Sequence, residues 1–235
     1  MTGTLYLLPV GLGESDLTHV LPQRNFEVIR NLTWFIAENA KEARAFLKAC
    51  TYPEISRTQF SLINQHAKQE ELLSFIQPLL QGNDMGLMSD AGCPGIADPG
   101  AEVIRLAHQK GIKVVPLVGP SSIVLSIMAS GFNGQNFAFI GYLPIDRLEK
   151  AKRIKELEQL AVKYKQAQFF IETPYRNLPL FEDLLKTLNP ASKLLVATNI
   201  TLGDESITVK TIAAWKKLPV PDFNKKPTIF GIYSE

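Results

Sequence analysis

Apolar positions along the chain fall into short blocks separated by polar stretches of helical composition. Residues 4–8 form an apolar run closed by Pro9, Gly11 and Gly13, which predicts a buried strand entering a tight loop. A second run at 33–37 predicts another strand, and 39–49 then has the composition of a helix. In 68–80, Leu72, Leu73, Ile76, Leu79 and Leu80 recur at helical spacing, with Pro78 expected to kink or end that helix early. Residues 85–88 give a third buried strand. Next come a helix over 99–110 stopped by Gly111, a strand over 112–118, and a helix over 120–130 entered through Gly119.

The second half alternates in the same way with other lengths. Strands are expected at 137–141, 167–171 and 193–198, and helices at 147–164 and 178–188. The runs at 206–210 and 228–233 suggest an antiparallel finish. This alternation predicts an α/β protein of two domains, 1–117 and 118–235. The first would hold a mostly parallel sheet and the second a mixed one. No repeat or low-complexity segment interrupts the pattern.

Composition adds constraints. Of 235 residues, 46% are hydrophobic and 20% charged, the profile of a folded protein. A formal charge of +2 predicts no general attraction to nucleic acid, so any RNA contact must come from a local patch. The helix predicted at 147–164 carries Lys150, Lys152, Arg153, Lys155 and Lys163. Glu149, Glu156 and Glu158 interleave with them, so it reads as a solvated face. Cys50 and Cys93 are too few and too distant for a disulfide framework, which points to a reducing compartment. The first residues lack the features of a signal peptide, and no stretch reaches the roughly 20 apolar residues of a membrane span. The expected location is the cytoplasm.

The stretch with most chemical information is Ser89-Asp90-Ala91-Gly92-Cys93-Pro94-Gly95-Ile96-Ala97-Asp98-Pro99-Gly100. It leaves a predicted strand and ends at a predicted helix, where α/β sheets bind ligands. Its glycines permit close approach of backbone to a ligand, and its prolines fix the loop. A plain long turn with Asp98 capping the next helix accounts for the composition equally well. Other templates fail. Gly11-Leu12-Gly13 lacks the third glycine of a dinucleotide loop, and no phosphate-loop lysine motif or Gly-x-Ser-x-Gly elbow occurs. His19, His66 and His108 have no metal-ligand spacing, so no metal site is expected.

Taken together, Gly3-Thr4-Leu5-Tyr6 with Pro9-Val10-Gly11, Ala37-Glu38, the 89–100 loop, Gly119-Pro120-Ser121-Ser122, Gly141-Tyr142-Leu143-Pro144 and Glu172-Thr173-Pro174-Tyr175-Arg176 resemble the tetrapyrrole methylase superfamily. The nearest branch is the small-subunit ribosomal-RNA methyltransferase I group, whose members methylate ribose 2′-hydroxyls. The resemblance spans nearly the whole chain. It implies two α/β domains with S-adenosylmethionine in the cleft between them, and a homodimer. It further implies cofactor contacts from Pro9, Leu12, Ser89, Asp90, Ala91, Gly92, Cys93, Ser121, Ser122, Tyr142, Thr173 and Pro174.

The departures from the branch fall at polar positions. Ala-Glu-Asp-Thr-Arg becomes Ala37-Glu38-Asn39-Ala40-Lys41, and His-Glu-His-Asn-Glu becomes Asn64-Gln65-His66-Ala67-Lys68. Glu-Ser-Pro-His-Arg becomes Glu172-Thr173-Pro174-Tyr175-Arg176, and Arg-Glu-Leu-Thr-Lys becomes Thr198-Asn199-Ile200-Thr201-Leu202. The sequence also ends at Glu235 without the further C-terminal segment of better-known members. Glu38, Glu172 and Tyr175 are the catalytic candidates. Glu38 reads equally as an acid at a helix N-terminus, and Arg176 as a phosphate holder. The expected function is methyl transfer from S-adenosylmethionine to ribosomal RNA, with RNA or a ribosomal subunit as partner. A non-catalytic or repurposed cofactor binder, and a small-molecule methyltransferase, are the alternatives. The lost charges predict weak RNA methylation by this chain alone.

Overall fold

The computed structural model describes residues 1–223 and 225–234. The chain divides into two compact units, Met1–Ser121 and a second from Ser122 onward.

In the first unit, β1 (Thr4–Leu7), β2 (Trp34–Ala37), β3 (Gln59–Leu62), β4 (Met85–Leu87) and β5 (Lys113–Pro116) form one sheet in the order β3-β2-β4-β1-β5. Every pairing is parallel, with Leu5 opposite Met85 on one side and Val114 on the other. Alternation along the strands supplies two cores. Leu8 and Phe35 pack with α1 (Gln23–Asn31) and α2 (Ala40–Ala49) on one face. Leu5, Ile36 and Leu87 pack with α3 (Gln69–Phe75), α4 (Gln77–Leu80) and α5 (Gly100–Gln109) on the other. Gly86 is required in the central strand, because a β-carbon there would lie 2.4 Å from Leu8 Cδ1.

In the second unit, β6 (Phe137–Tyr142), β7 (Ala167–Ile171), β8 (Lys193–Thr198), β9 (Ser206–Thr211) and β10 (Thr228–Tyr233) are ordered β6-β7-β10-β8-β9. Only β6 and β7 pair in parallel; the others are antiparallel, so the sheet is mixed. The helices are α6 (Ser122–Ser130), α7 (Arg147–Tyr164), α8 (Asn177–Thr187) and α9 (Ile212–Trp215). Phe170, Phe181, Trp215, Phe223 and Phe230 dominate the core, and Trp215 Nε1 donates to the Leu194 carbonyl at 2.9 Å.

The elements differ from the sequence pattern in instructive places. The helix expected over 68–80 is two helices broken at Ile76, because Pro78 cannot donate a backbone hydrogen bond and crowds the preceding turn. The strand expected over 112–118 is only four residues, Lys113–Pro116, since it is an edge strand paired to β1 alone. The helix expected from 120 begins at Ser122. β3 and α1 carry no run of apolar residues long enough to announce them. Lys150 is not solvated: it is buried and its Nζ pairs with Asp183 at 3.3 Å.

Candidate functional site

β1 and β4 are neighbours in the first sheet, yet the chain leaves them toward opposite faces. β1 leads into α1 and β4 into α5, whose apolar sides belong to different cores. Such a switch point opens a crevice beyond the carboxyl ends of parallel strands. Three loops meet there. The Val10 N–H donates to the Gly92 carbonyl at 2.9 Å, tying the β1 and β4 loops. The Cys93 thiol donates to the Pro120 carbonyl at 3.3 Å, tying the β4 and β5 loops. Gly119 lies so close to Pro9 that an added β-carbon would sit 2.1 Å from the Pro9 β-carbon.

The β4 loop is held internally by Asp98, whose carboxylate accepts from the backbone N–H groups of Gly95 and Gly100, both within 3.0 Å. Gly92, Gly95 and Ala97 adopt left-handed backbone with φ of 72°, 84° and 62°. Asp98 is therefore the brace of this loop, and Asp90 is left at its exposed start. Ser89 is buried and its hydroxyl donates to the Ala91 carbonyl at 3.1 Å.

Beside these loops lies a cavity of about 430 Å³ within the first unit. Leu12, Ser89, Asp90 and Ala91 line it together with the β1 loop and one side of α2. Pro9, Gly92 and Cys93 are not among its lining residues; they belong to the inter-loop contacts just described.

Glu38 stands between β2 and α2. Asn39 caps α2 by accepting from the Lys41 N–H at 2.9 Å, so Glu38 precedes the helix and is not one of its first-turn acids. Its carboxylate instead accepts from the Asp90 N–H at 3.3 Å. Burial pushes the Glu38 carboxyl above the ordinary glutamate range. The Asp90 hydrogen bond opposes that shift, and the charges of Asp90 and Asp98 add to it. Asp90 is also raised, first by desolvation and then by the nearby Glu42 charge.

In the second unit, Glu172 follows β7 and is buried. Its carboxylate accepts from the Thr173 N–H and pairs with Arg176 Nη2 at 2.9 Å. Pro174, Tyr175 and Arg176 form one 3₁₀ turn after Thr173, leaving Tyr175 76% exposed. Tyr142 ends β6 beyond an irregularity in its pairing with β7 and is also exposed. Ser121 ends the first unit and Ser122 begins α6. His66 is exposed in the turn before α3.

Sequence reasoning missed Glu14, Glu42 and Phe46, which line the cavity. Glu42 and Phe46 read as ordinary residues of an amphipathic helix, and only the placement of α2 beside the β4 loop gives them a site. Among the described residues, no group of three His, Cys, Asp or Glu side chains is placed to hold a metal ion. No described helix is long and apolar enough to cross a membrane.

Comparison with known proteins bears on the identity of this arrangement. No family model matches the chain. Among solved structures, the crystal structure of the methyltransferase CobJ shares the fold, with a TM-score of 0.66 at 15% identity over 99% of this chain and 95% of CobJ. The ribosomal RNA small subunit methyltransferase I of Vibrio cholerae is 30% identical over 223 residues, 94% of this chain and 73% of that protein. The protein of the same name from Haemophilus influenzae is 31% identical over 226 residues, 96% of this chain and 76% of its own length. In Escherichia coli O157:H7 the corresponding figures are 29%, 219 residues, 92% and 72%. With these identities across both units, the chain belongs to the ribosomal RNA small subunit methyltransferase I family.

Proposed function

We propose that this protein transfers a methyl group from S-adenosylmethionine to a ribose 2′-hydroxyl of small-subunit ribosomal RNA, in the cytoplasm and as a homodimer. The observation that carries the reading is the junction of the β1, β4 and β5 loops at the switch point of the first sheet, held by the Val10–Gly92 and Cys93–Pro120 hydrogen bonds.

These residues suit the cofactor. Left-handed backbone at Gly92 and the close Gly119–Pro9 approach keep side chains out of the junction. The Asp90 carboxylate is an acceptor for ribose hydroxyls or an ammonium group. Pro9, Leu12, Ser89, Ala91, Cys93 and Ser121 complete the proposed contacts within the first unit. The cofactor supplies an electrophilic methyl group.

The protein must then hold the acceptor oxygen in line and take its proton. Glu38 suits the second task, because its carboxyl is raised by burial and so binds a proton more tightly than a solvated glutamate. The Asp90 N–H fixes one carboxylate oxygen. Glu38 would take the hydroxyl proton as the methyl–oxygen bond forms and the methyl–sulfur bond breaks, with S-adenosylhomocysteine as the leaving group. Glu172 is held by Arg176 and Thr173 and positions the turn carrying Tyr175.

Homodimer formation has support in α6, whose sidedness is inverted. Ser126 and Ser130 are buried, while Val124 is 51% and Met128 74% exposed. An apolar face turned outward on a soluble helix marks an interaction surface.

The deciding experiment supplies labelled S-adenosylmethionine and unmethylated small ribosomal subunits to the purified protein. Label in RNA at a 2′-hydroxyl supports the reading. Absence of cofactor binding at millimolar concentration overturns it.

A further inference from the structure

The cavity beside the β4 loop has a one-signed rim. Glu14, Glu42 and Asp90 line it, and among the described residues no lysine, arginine or histidine does. The cation that follows on α2, Arg44, lies over the Phe60 ring at 5.2 Å. The floor is apolar, built from Leu17, Ala43, Phe46 and Met88. The hydroxyl oxygen of Ser15, another lining residue, is shut off from solvent and has no hydrogen-bond partner among the described residues.

This chemistry excludes one half of a nucleotide and fits the other. Three carboxylates repel phosphate, so the cavity does not hold an RNA backbone. A nucleobase has apolar faces for the floor, an aromatic surface to lie against Phe46, and polar edges. Carboxylates accept and do not donate, so they select an edge bearing an exocyclic amino group, while the Ser15 hydroxyl can both donate and accept. Uracil, whose single N3–H donor is flanked by two carbonyls that a carboxylate repels, gains least from such a rim. The volume of about 430 Å³ lies in the range of small-ligand sites. Glu38, the proposed proton acceptor, leaves the sheet between two lining residues, Ala37 and Asn39.

We infer that this cavity receives the unstacked base of the acceptor nucleotide, and that Glu42 reads its amino edge. The inference rests on the proposed RNA reading and deepens it. A base anchored here would bring its own ribose beside Glu38, whereas phosphate contacts must come from elsewhere on the protein. Extruding a base from its stack is the general means by which enzymes reach a nucleotide.

The test uses the protein saturated with S-adenosylhomocysteine, so that the cofactor site cannot capture a nucleoside. Cytidine, guanosine and uridine, then their 5′-monophosphates, are titrated by calorimetry. Amino-bearing nucleosides are expected to bind about fivefold more tightly than uridine, the weight of one net hydrogen bond. The monophosphates are expected to bind no more tightly than the nucleosides. Glu42→Gln should reduce cytidine and guanosine to the uridine level. Ala45→Trp, at an exposed lining position, should abolish all nucleoside binding and leave S-adenosylhomocysteine affinity unchanged.

Equal binding of uridine, tighter binding of monophosphates, or indifference to Ala45→Trp would overturn the inference. Loss of S-adenosylhomocysteine binding in a folded Ala45→Trp protein would assign the cavity to the cofactor and overturn it too. A protein that binds S-adenosylhomocysteine but no nucleoside sinks this inference alone. One that binds no S-adenosylhomocysteine sinks the methyltransferase reading, and its nucleoside titration still decides the cavity.

Discussion

The Glu38 carboxylate accepts a hydrogen bond from the Asp90 backbone N–H at 3.3 Å, joining the end of β2 to the first turn of the β4 loop. One contact thus links the proposed proton acceptor to the proposed cofactor loop. Burial raises the Glu38 carboxyl, so its proton is lost above the ordinary glutamate range. The ionised form is the active one, and methyl transfer should therefore rise with pH through that raised value. Glu38→Gln should remove this limb and slow transfer by about 10²–10⁴-fold, the usual contribution of a general base. Single-turnover rates across pH check it. An unchanged limb in the variant would relocate the base.

Asp90→Ala is expected to weaken S-adenosylmethionine binding by about 1.5–3 kcal/mol, the loss of a hydrogen bond to a charged group. Because desolvation and the Glu42 charge raise the Asp90 carboxyl, affinity should fall with decreasing pH before an ordinary aspartate would titrate. Calorimetry on native and variant protein at several pH values is the measurement. Equal affinity in a folded variant would leave Asp90 with a purely structural place.

Much of this arrangement was legible in the sequence because it is local. Residues 89–100 announced a loop of fixed shape through glycines and prolines, and left-handed backbone at Gly92 and Gly95 explains two of those glycines. α7 begins and ends as its pattern predicts, since Asp146 caps its start and Lys165 turns left-handed at its end. What sequence could not show was tertiary. β3 is a polar edge strand of four residues, recognisable only through its pairing with β2. Lys150 looked solvated until Asp183, 33 residues away, supplied its counter-charge. Glu42 became a site residue only because α2 packs beside the β4 loop.

The Glu172–Arg176 pair gives a stability prediction. The Glu172 side chain is 1% exposed and Arg176 40%, so removing the arginine strands a buried carboxylate. Arg176→Ala should destabilise the fold toward the lower end of the about 3–5 kcal/mol seen for broken buried pairs, because the exposed guanidinium is partly screened. Adding Glu172→Gln should recover part of that loss. Urea denaturation of both singles and the double closes the cycle, and strict additivity would show that the two side chains do not interact.

The outward apolar face of α6 predicts self-association. Sedimentation should give a dimer at micromolar concentration, and Met128→Asp, placing a charge on the exposed face, should yield a folded monomer. A monomeric native protein would remove the proposed role of this face.

Residues 198–202, which depart from the Arg-Glu-Leu-Thr-Lys stretch that the resemblance implies, supply the last prediction. Here Thr198 is buried with its hydroxyl 3.3 Å from that of Thr228, leaving no room for an arginine. Asn199 Nδ2 donates to both Asp204 carboxylate oxygens at 2.9 and 3.0 Å, closing the following turn on itself. Lys226, the cation beside it, is taken by Asp204 and Asp222, each at 3.0 Å. Among the described residues, 198–205 thus carries no positive charge of its own to offer phosphate, and RNA binding should be weak and its methylation slow. Leu202→Lys returns one cation, and should steepen the salt dependence of RNA affinity by about 0.7 in the log–log slope, the value for one single-stranded phosphate contact. Lys41→Arg adds no charge. It should leave that slope unchanged even if its planar fork improves the rate. Filter binding of small-subunit RNA between low and moderate salt measures both variants. A native slope already as steep as that of the Leu202→Lys protein would mean that the phosphate contacts lie elsewhere, and that this turn was never part of the RNA surface.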